Sequence, residues 1–343
     1  MKATSLLLFP FAVLFDAVTS VRNRLYDLAL KPSASFDVPV ISVGNLSVGG
    51  TGKTPMVEHL IRLLGDTHRV ATLSRGYKRK TKGFRIAEDN DTAETVGDEP
   101  FQFYSKFKGR VTVTVGEERA LAITNILQEF PETNVILLDD AFQHRRVKPS
   151  FQILLTVYDN LFFNDWLLPA GRLRESKTGA KRADAIVVTK CPENLQDDEM
   201  IAIQKSILQY SSRPVFFTTI RYGAPVPFGS VSGILDRNVV LVTGLANADH
   251  LRNYVSNNYT LRHHFQFEDH HRYTPAEVKD IVRVASENKA QIVTSEKDAA
   301  KLRSIEFQPE LNEVLWFYLP IEIGFVKSGR DFDEMVLNAV TNA

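Results

Sequence analysis

The stretch Ser47-Val-Gly-Gly-Thr-Gly-Lys-Thr-Pro55 constrains this chain more than any other feature. It follows Val38-Pro-Val-Ile-Ser-Val43, a β-branched run that reads as a buried strand. It precedes Met56-Val-Glu-His-Leu-Ile-Arg-Leu-Leu64, whose apolar residues recur at helical spacing. Strand, glycine-rich loop, Gly-Lys-Thr and helix, in that order, make the setting of a phosphate-binding P-loop. Gly49, Gly50 and Gly52 let backbone N–H groups curl round phosphate oxygens. Lys53 brings a cation to the transferring phosphoryl group, and Thr54 offers a hydroxyl to Mg²⁺. Ser47 stands where the strict pattern has glycine; with Val48 and Thr51 it completes the expected nucleotide-binding loop. The alternative, a glycine-rich turn with a chance Gly-Lys-Thr, leaves that setting unexplained.

At 343 residues the chain is long for a single core, so two domains are expected. Further strand-like runs alternate with helical patterns: Arg69–Leu73, Val111–Val115, Asn134–Leu138, Phe151–Val157 and Ala185–Thr189. Continuous apolar strands alternating with helices imply a parallel sheet covered on both faces. The expected class is α/β, a P-loop NTPase-like, mostly parallel sheet with a second, smaller α/β domain. Pro214, Gly223, Pro225, Pro227, Gly229 and Gly233 crowd the stretch between the two. Beyond it, Asn238–Thr243, Leu261–Phe267, Gln291–Thr294 and Val314–Leu319 read as strands of the second unit. The expected divisions are an N-terminal helix over 1–30, a catalytic domain over 31–215, a hinge over 216–235 and a smaller domain over 236–343. Ligands belong at the C-terminal ends of the first sheet's strands, facing the cleft.

The formal net charge is zero, so no global field draws the protein to nucleic acid, and none is expected as a partner. The local run Tyr77-Lys-Arg-Lys-Thr-Lys82 suits an anionic surface or a solvated loop equally. Cys191 is the only cysteine, which excludes an internal disulfide and C-x-x-C metal sites and fits a reducing compartment. Near the N-terminus, Lys2 and the apolar run Leu6–Phe15 imitate a signal peptide. The pattern continues past any cleavage point, however: Phe11, Leu14, Phe15, Val18, Val21, Leu25 and Leu28 recur at steps of three and four. An exported P-loop protein would also lose the ATP pool. The apolar run is too short to span a bilayer, and it suits a helix lying in the membrane interface with Arg22 and Arg24 near headgroups. A helix packed on the protein's own core is the competing reading.

Asp139-Asp140 closes an apolar strand downstream of the P-loop, where a Walker B carboxylate holds Mg²⁺; a strand-end cap is the bland alternative. Gln143, His144 and Arg145 extend from the same edge. In Gly97-Asp-Glu-Pro100, Asp98 reads as a helix cap or as a carboxylate aimed at a substrate hydroxyl, and spacing favours the cap. Leu168-Pro-Ala-Gly-Arg-Leu-Arg-Glu175 sets two guanidinium groups and a carboxylate after a turn, apt for phosphate or simply solvated. His263, His264, His270 and His271 lie in one short stretch with Glu268 and Asp269. Their spacing fits no standard zinc pattern, while a histidine beside a carboxylate suits proton handling. Thr189-Lys-Cys-Pro192 and Thr294-Ser-Glu-Lys-Asp298 each match only part of the guanine-reading N-K-x-D motif, so ATP is favoured over GTP. Val48 stands where the deviant P-loop of partition-type ATPases needs lysine.

Taken together, these segments resemble the tetraacyldisaccharide 4′-kinase family, the lipid A kinases of Gram-negative bacteria. The resemblance rests on SVGNLSVGGTGKTP (Ser42–Pro55), LSRGYKR (Leu73–Arg79), GDEP (Gly97–Pro100), LLDDAFQHR (Leu137–Arg145) and LLPAGRLRE (Leu167–Glu175). VTGLAN (Val242–Asn247), EDHHRYT (Glu268–Thr274) and TSEKDAAKL (Thr294–Leu302) continue it in order. Ala141 replaces the family's commoner glycine, and Cys191 sits inside its T-K-x-P element. The resemblance implies transfer of the ATP γ-phosphoryl to the 4′-hydroxyl of a lipid-linked glucosamine disaccharide 1-phosphate. It matches Asp98 to the catalytic aspartate and His270 to its dyad partner. It makes Thr54, Asp139, Asp140 and Glu175 the metal-site or active-site groups, and Arg75, Gln143, His144 and Arg174 contacts to substrate or ATP. It also implies a monomer on the cytoplasmic face of the inner membrane, docked by its hydrophobic N-terminal helix. The competing reading is a P-loop GTPase or ATPase switch or metal-insertion accessory; a further one, a membrane-surface scaffold with a vestigial P-loop, conflicts with intact Lys53, Thr54 and Asp139.

Overall fold

A computed structural model describes residues 3–229, 233–303 and 307–342, with side chains from residue 8 onward. Residues 230–232 of the expected hinge, and the side chains of Leu6 and Leu7 in the N-terminal apolar run, lie outside the described residues.

In chain order, the first lobe contributes helix α1 (Ala3–Asp27), β1 (Val40–Asn45), α2 (Lys53–Leu64), β2 (Val70–Ser74), β3 (Arg85–Ile86), α3 (Ala93–Val96) and α4 (Asp98–Phe107). Then come β4 (Thr112–Val115), α5 (Arg119–Glu129), β5 (Val135–Asp139), β6 (Phe151–Val157), β7 (Ala185–Thr189), α6 (Asp197–Leu208) and β8 (Val215–Tyr222). The second lobe follows with β9 (Val226–Phe228), β10 (Asn238–Thr243), α7 (Asp249–Asn258), β11 (Thr260–Gln266), α8 (Pro275–Glu287), β12 (Gln291–Ser295), α9 (Glu296–Leu302), α10 (Gln308–Leu311) and β13 (Trp316–Leu319). The chain then returns to the first lobe as β14 (Ile321–Lys327) and α11 (Gly329–Thr341).

The large sheet has nine strands in the order β14-β8-β7-β6-β1-β5-β2-β4-β3. It is parallel except at its two edges, where β14 and β3 run antiparallel to their neighbours. Side chains alternate between its faces, and both faces are apolar. From β1 and β5, Ile41, Val43, Val135 and Leu137 meet α2, α4 and α11 through Leu60, Phe103, Phe332 and Val336. Val40, Ile136 and Leu138 point the other way, onto Ala122, Ile123 and Ile126 of α5. That two-sided burial is why these strands lack a polar alternation in sequence. The smaller sheet, β11-β10-β12-β13-β9, is parallel except for β9 and carries α8 on one face and α7 on the other.

The mostly parallel α/β sheet with a smaller α/β unit is therefore as expected, but the division of the chain differs. The expected smaller domain over 236–343 includes β14 and α11, yet β14 pairs with β8, and Phe332, Val336 and Val340 fill the first core. Alternation and helical spacing do not say which core receives them. The apolar face of α1 is largely unpacked. Phe11, Leu14, Val18 and Val21 are exposed, and Ala12 is buried. No helix among the described residues is long and apolar enough to cross a membrane. The C-terminal half of α1 is tied down: Arg22 Nη2 donates to Gln143 O at 2.9 Å, Asn23 Nδ2 to Glu175 Oε2 at 2.7 Å, and Arg145 pairs with Asp27 at 2.8 Å.

Candidate active site

The P-loop fills the turn between β1, at the middle of the large sheet, and α2. Gly49 and Gly52 have φ of 114° and 84°, a backbone region that side chains resist, so glycine is required there. Side chains shape the loop from beneath. Asn45 Nδ2 donates to Ser47 O at 2.6 Å and to Thr51 Oγ1 at 2.9 Å, and Thr189 Oγ1 donates to Thr51 O at 2.9 Å. Val48 N donates to Arg172 O at 2.8 Å, and Ser47 bridges Leu173, so Leu167–Glu175 forms the loop's outer support. Val48 through Thr54 line the cleft, while Ser47 is held by that bridge instead.

Asp139 and Asp140 end β5, the neighbour of β1. Asp139 is buried. Its Oδ2 accepts from Ser74 Oγ at 3.4 Å, and its Oδ1 has no partner among the described residues. Burial pushes its carboxyl up to about 7, Asp140 and Glu99 adding to the shift while Lys53 and Arg119 oppose it. A buried carboxylate oxygen without a donor, opening on the same cleft as Thr54, suits a divalent cation. Asp140 adopts φ of 48° and is clasped by both terminal nitrogens of Arg174, at 2.9 and 3.2 Å, with Lys53 Nζ at 3.6 Å. Burial works against its charge, but Lys53 and Arg174 hold it below the usual carboxylate range.

Asp98 opens α4 directly after Gly97, itself at φ 100°. Gly97, not Asp98, holds the N-cap position, so the cap reading favoured by spacing gives way to a contact across the lobes. His270 Nδ1 lies 2.8 Å from Asp98 Oδ2, and Lys301 Nζ 3.1 Å from the same oxygen. Lys297 Nζ approaches His270 Nε2 at 3.4 Å, leaving Nδ1 to carry the proton donated to Asp98. His270 adopts φ of 61° and meets the Tyr77 ring edge-on at 5.5 Å. Burial would raise the Asp98 carboxyl, but the His270 hydrogen bond, Lys301 and Lys297 outweigh it and bring it down to about 2. The neighbouring histidine has a different task. His271 Nε2 lies 3.1 Å from Glu277, within the capping box of α8.

The P-loop, Asp139, Asp140 and His270 share one cavity of about 780 Å³ between the lobes, and Asp98 meets it through His270. Arg75, Gln143, His144 and Arg174 line it with Lys53, Asp139, Asp140 and His270. His144 is pulled down to about 4 by burial and by Arg119 and Arg75, so it is neutral near pH 7. Glu175 is not brought in. Adjacent to Arg174, it turns the opposite way and is buried against Arg182 at 2.8 Å, Asn23 at 2.7 Å and Gln143 Nε2 at 3.0 Å, which removes it from the metal-ligand set. Lys190 and Lys297 line the cleft and Lys301 contacts Asp98, roles that their places in the T-K-x-P and TSEKDAAKL segments do not announce. Lys297 and Lys301 stand at i and i+4 of α9, a spacing that puts both on one helical face. Opposite the P-loop end, Thr219, Tyr222, Leu245, Leu251 and Ile323 give a more apolar wall.

The tetraacyldisaccharide-1-P 4′-kinase family, LpxK, matches the chain over residues 4–341. A tetraacyldisaccharide 4′-kinase from Flavobacterium johnsoniae is 44% identical over 339 residues, covering 97% of this chain and 96% of that protein. One from Bacteroides thetaiotaomicron is 40% identical over 356 residues, covering 97% and 92%. Among solved structures, the "apo" form of LpxK from Aquifex aeolicus in complex with ATP superposes with a TM-score of 0.76 at 30% identity, covering 98% of this chain and 99% of that one.

Proposed function

The chain belongs to the tetraacyldisaccharide-1-P 4′-kinase family, and we propose that it transfers the γ-phosphoryl group of ATP to the 4′-hydroxyl of a tetraacylated glucosamine disaccharide 1-phosphate in lipid A biosynthesis. The observation that carries the residue-level reading is the 2.8 Å contact between Asp98 of the first lobe and His270 of the second, His270 lining the same cavity as the P-loop lysine.

Phosphoryl transfer asks mainly for positioning and for neutralisation of equatorial oxygens. Lys53 and the loop amides from Val48 to Thr54 receive the phosphates, with Arg174 and Arg75 as further cations at the cleft. Thr54, Asp139 and Asp140 would hold Mg²⁺, which when bound supplies charge neutralisation across the phosphates. Before ATP arrives, Asp140 occupies Lys53 and Arg174; phosphate oxygens compete for the same cations.

Asp98 orients the acceptor hydroxyl and takes its proton. A carboxylate held near 2 is a weak base, so the proton moves late, once the oxygen has begun to bond phosphorus and become acidic. His270 keeps the carboxylate aimed at the acceptor rather than acting as the base. Because the dyad spans two lobes, opening the cleft dismantles it, which limits transfer to water. Gln143 and neutral His144 are hydrogen-bonding contacts for the sugar. Both lobes of one chain supply these groups, which supports action as a monomer. Acyl chains keep the acceptor in a bilayer, and the exposed apolar face of α1 supports docking at the cytoplasmic face of the inner membrane, where ATP is available.

The test is transfer from γ-labelled ATP, with Mg²⁺, to a detergent-dispersed tetraacyl disaccharide 1-phosphate, with Lys53→Ala alongside. Labelled lipid made only by the intact chain supports the reading. Nucleotide hydrolysis without lipid product defeats it in favour of a nucleotide switch.

A further inference from the structure

The segment between β6 and β7 carries a feature that phosphoryl transfer does not use. Trp166 is 46% exposed on the arm of a tight loop, although the other tryptophan of the chain, Trp316, is fully buried. The loop is rigidly made. Leu173 N donates to Trp166 O at 2.8 Å, Leu168 N to Leu173 O at 2.9 Å, and Asp165 Oδ2 accepts from Arg172 Nε at 2.9 Å. A lone exposed aromatic ring asks for no reason, but one that joins a contiguous apolar patch does. The surroundings of Trp166 supply such a patch. Phe9 of α1 meets the Trp166 ring edge-on at 5.7 Å, and Lys177 Nζ lies 5.7 Å from the ring centre on another side. Phe9 is itself partly exposed and continues into the exposed apolar face of α1, through Leu8, Phe11 and Leu14. The indole thus prolongs that face, with Lys177 and the half-exposed Arg172 beside it.

We propose that Trp166 is a second membrane anchor, seated in the headgroup region of an anionic phospholipid bilayer beside the apolar face of α1. The inference rests on the membrane docking given under the proposed function and adds to it a site outside the N-terminal helix. The chemistry selects a bilayer interface over a protein partner: tryptophan with an apolar body and a polar N–H, flanked by cations whose stems are apolar, is the composition that settles at headgroup depth. A helix alone can rotate about its axis; two contacts fix the face that the protein turns to the lipid.

The loop also joins that contact to the chemistry. Its returning strand gives Arg172 O to Val48 N at 2.8 Å and takes Leu46 O on Arg174 N at 2.7 Å, and Arg174 clasps Asp140. Seating Trp166 therefore orients the P-loop wall of the cleft relative to the bilayer that holds the acceptor.

The two tryptophans make the test direct. In Trp316→Phe, with the full chain otherwise intact, fluorescence reports Trp166 alone. Vesicles of phosphatidylethanolamine and phosphatidylglycerol should shift its emission to the blue and protect it from acrylamide, and lipids brominated near the headgroup should quench it. Trp166→Ala should bind these vesicles roughly tenfold more weakly in flotation while keeping its activity on substrate in detergent micelles. If the protein floats with vesicles but Trp166 stays fully open to acrylamide, α1 anchors alone and the proposal falls. If the intact chain does not float at all, the membrane docking itself fails. Should Trp316→Phe misfold, difference spectra of the intact chain against Trp166→Ala give the same readout.

Discussion

The two walls of the cleft are built on opposite plans. The P-loop wall is local: Val48–Thr54, Asp139 and Asp140 sit at the ends of adjacent strands, and their geometry follows from the register of β1 on β5. The acceptor wall is assembled across the molecule. Asp98 and His270 are 172 residues apart, and Lys301, more remote still, completes the contact. A local wall is present whenever its sheet is folded. A wall made across lobes exists only when the lobes are together, which is where a kinase that must avoid water gains from placing its proton acceptor.

The largest expected effect breaks the local wall. Lys53→Ala removes the cation at the transferring phosphoryl group and should lower kcat/KM on the order of 10³-fold, with ATP binding weakened, as read by label transfer and nucleotide titration. Asp98→Ala attacks the other wall. It should leave ATP affinity within about twofold while kcat falls roughly 10²- to 10³-fold. If both affinity and turnover fell together in Asp98→Ala, the separation of the walls would be wrong, and near-normal turnover would take Asp98 out of the mechanism.

What was legible in the sequence follows the same division. The P-loop, Asp139 and Asp140 were readable because strand, turn and helix fix them within a few residues. Helical and two-residue periodicity also located most elements of both sheets, since burial on two faces leaves continuous apolar runs. Asp98 was different: Gly97, Asp98 and Pro100 satisfy the grammar of a helix start, and only the partner from the second lobe shows that the side chain faces away from its own helix. Lys297 and Lys301 lie in the TSEKDAAKL segment, which matched the family without giving either side chain a role. Glu175 failed for a local reason, because neighbouring side chains of an extended segment point apart and Arg174 took the cleft side. β14 and α11 were not read as elements at all, and their place in the first core was out of reach because pattern specifies a face and not its partner.

A buried ionic link ties the two walls together and sharpens the comparison. Glu58 of α2, fully buried, accepts from Lys106 Nζ of α4 at 2.7 Å and from Gln102 at 2.8 Å, and Lys106 reaches Glu296 of α9 at 2.8 Å. One ammonium thus joins the P-loop helix, the Asp98 helix and the helix of Lys297 and Lys301. Burial pushes the Glu58 carboxyl up, and Lys106 opposes that shift. Lys106→Met removes the cation shared by two carboxylates and leaves Glu58 only the Arg62 cation, at 3.3 Å, which should cost about 3 kcal/mol of stability. Its signature is a lower denaturant midpoint, with a larger loss in turnover than in ATP affinity because the link to α9 is broken. A loss confined to ATP binding would show that the link serves the P-loop wall alone.

The smallest effect comes from acid. The Asp98 carboxyl sits at about 2 in the folded protein against an ordinary 3.8, so the unfolded chain binds this proton more readily. Its stabilising contribution is therefore complete above about pH 4 and is lost as the pH falls towards 2. The shift corresponds to about 2 kcal/mol, the Asp98 side chain being only 16% exposed. Other carboxylates titrate in the same window, so the informative quantity is the difference between the intact chain and Asp98→Asn, followed as denaturant midpoints from pH 6 to pH 2. That difference should be roughly constant from pH 6 to about 4 and shrink below it. The P-loop wall offers the control: Lys53→Ala alters the surroundings of Asp139 and Asp140 but not those of Asp98, and should leave the Asp98 transition in place. A difference that stayed flat down to pH 2 would mean that the contact between Asp98, His270 and Lys301 does not hold the lobes together in solution, and the acceptor wall would then have to be assembled by the substrate itself.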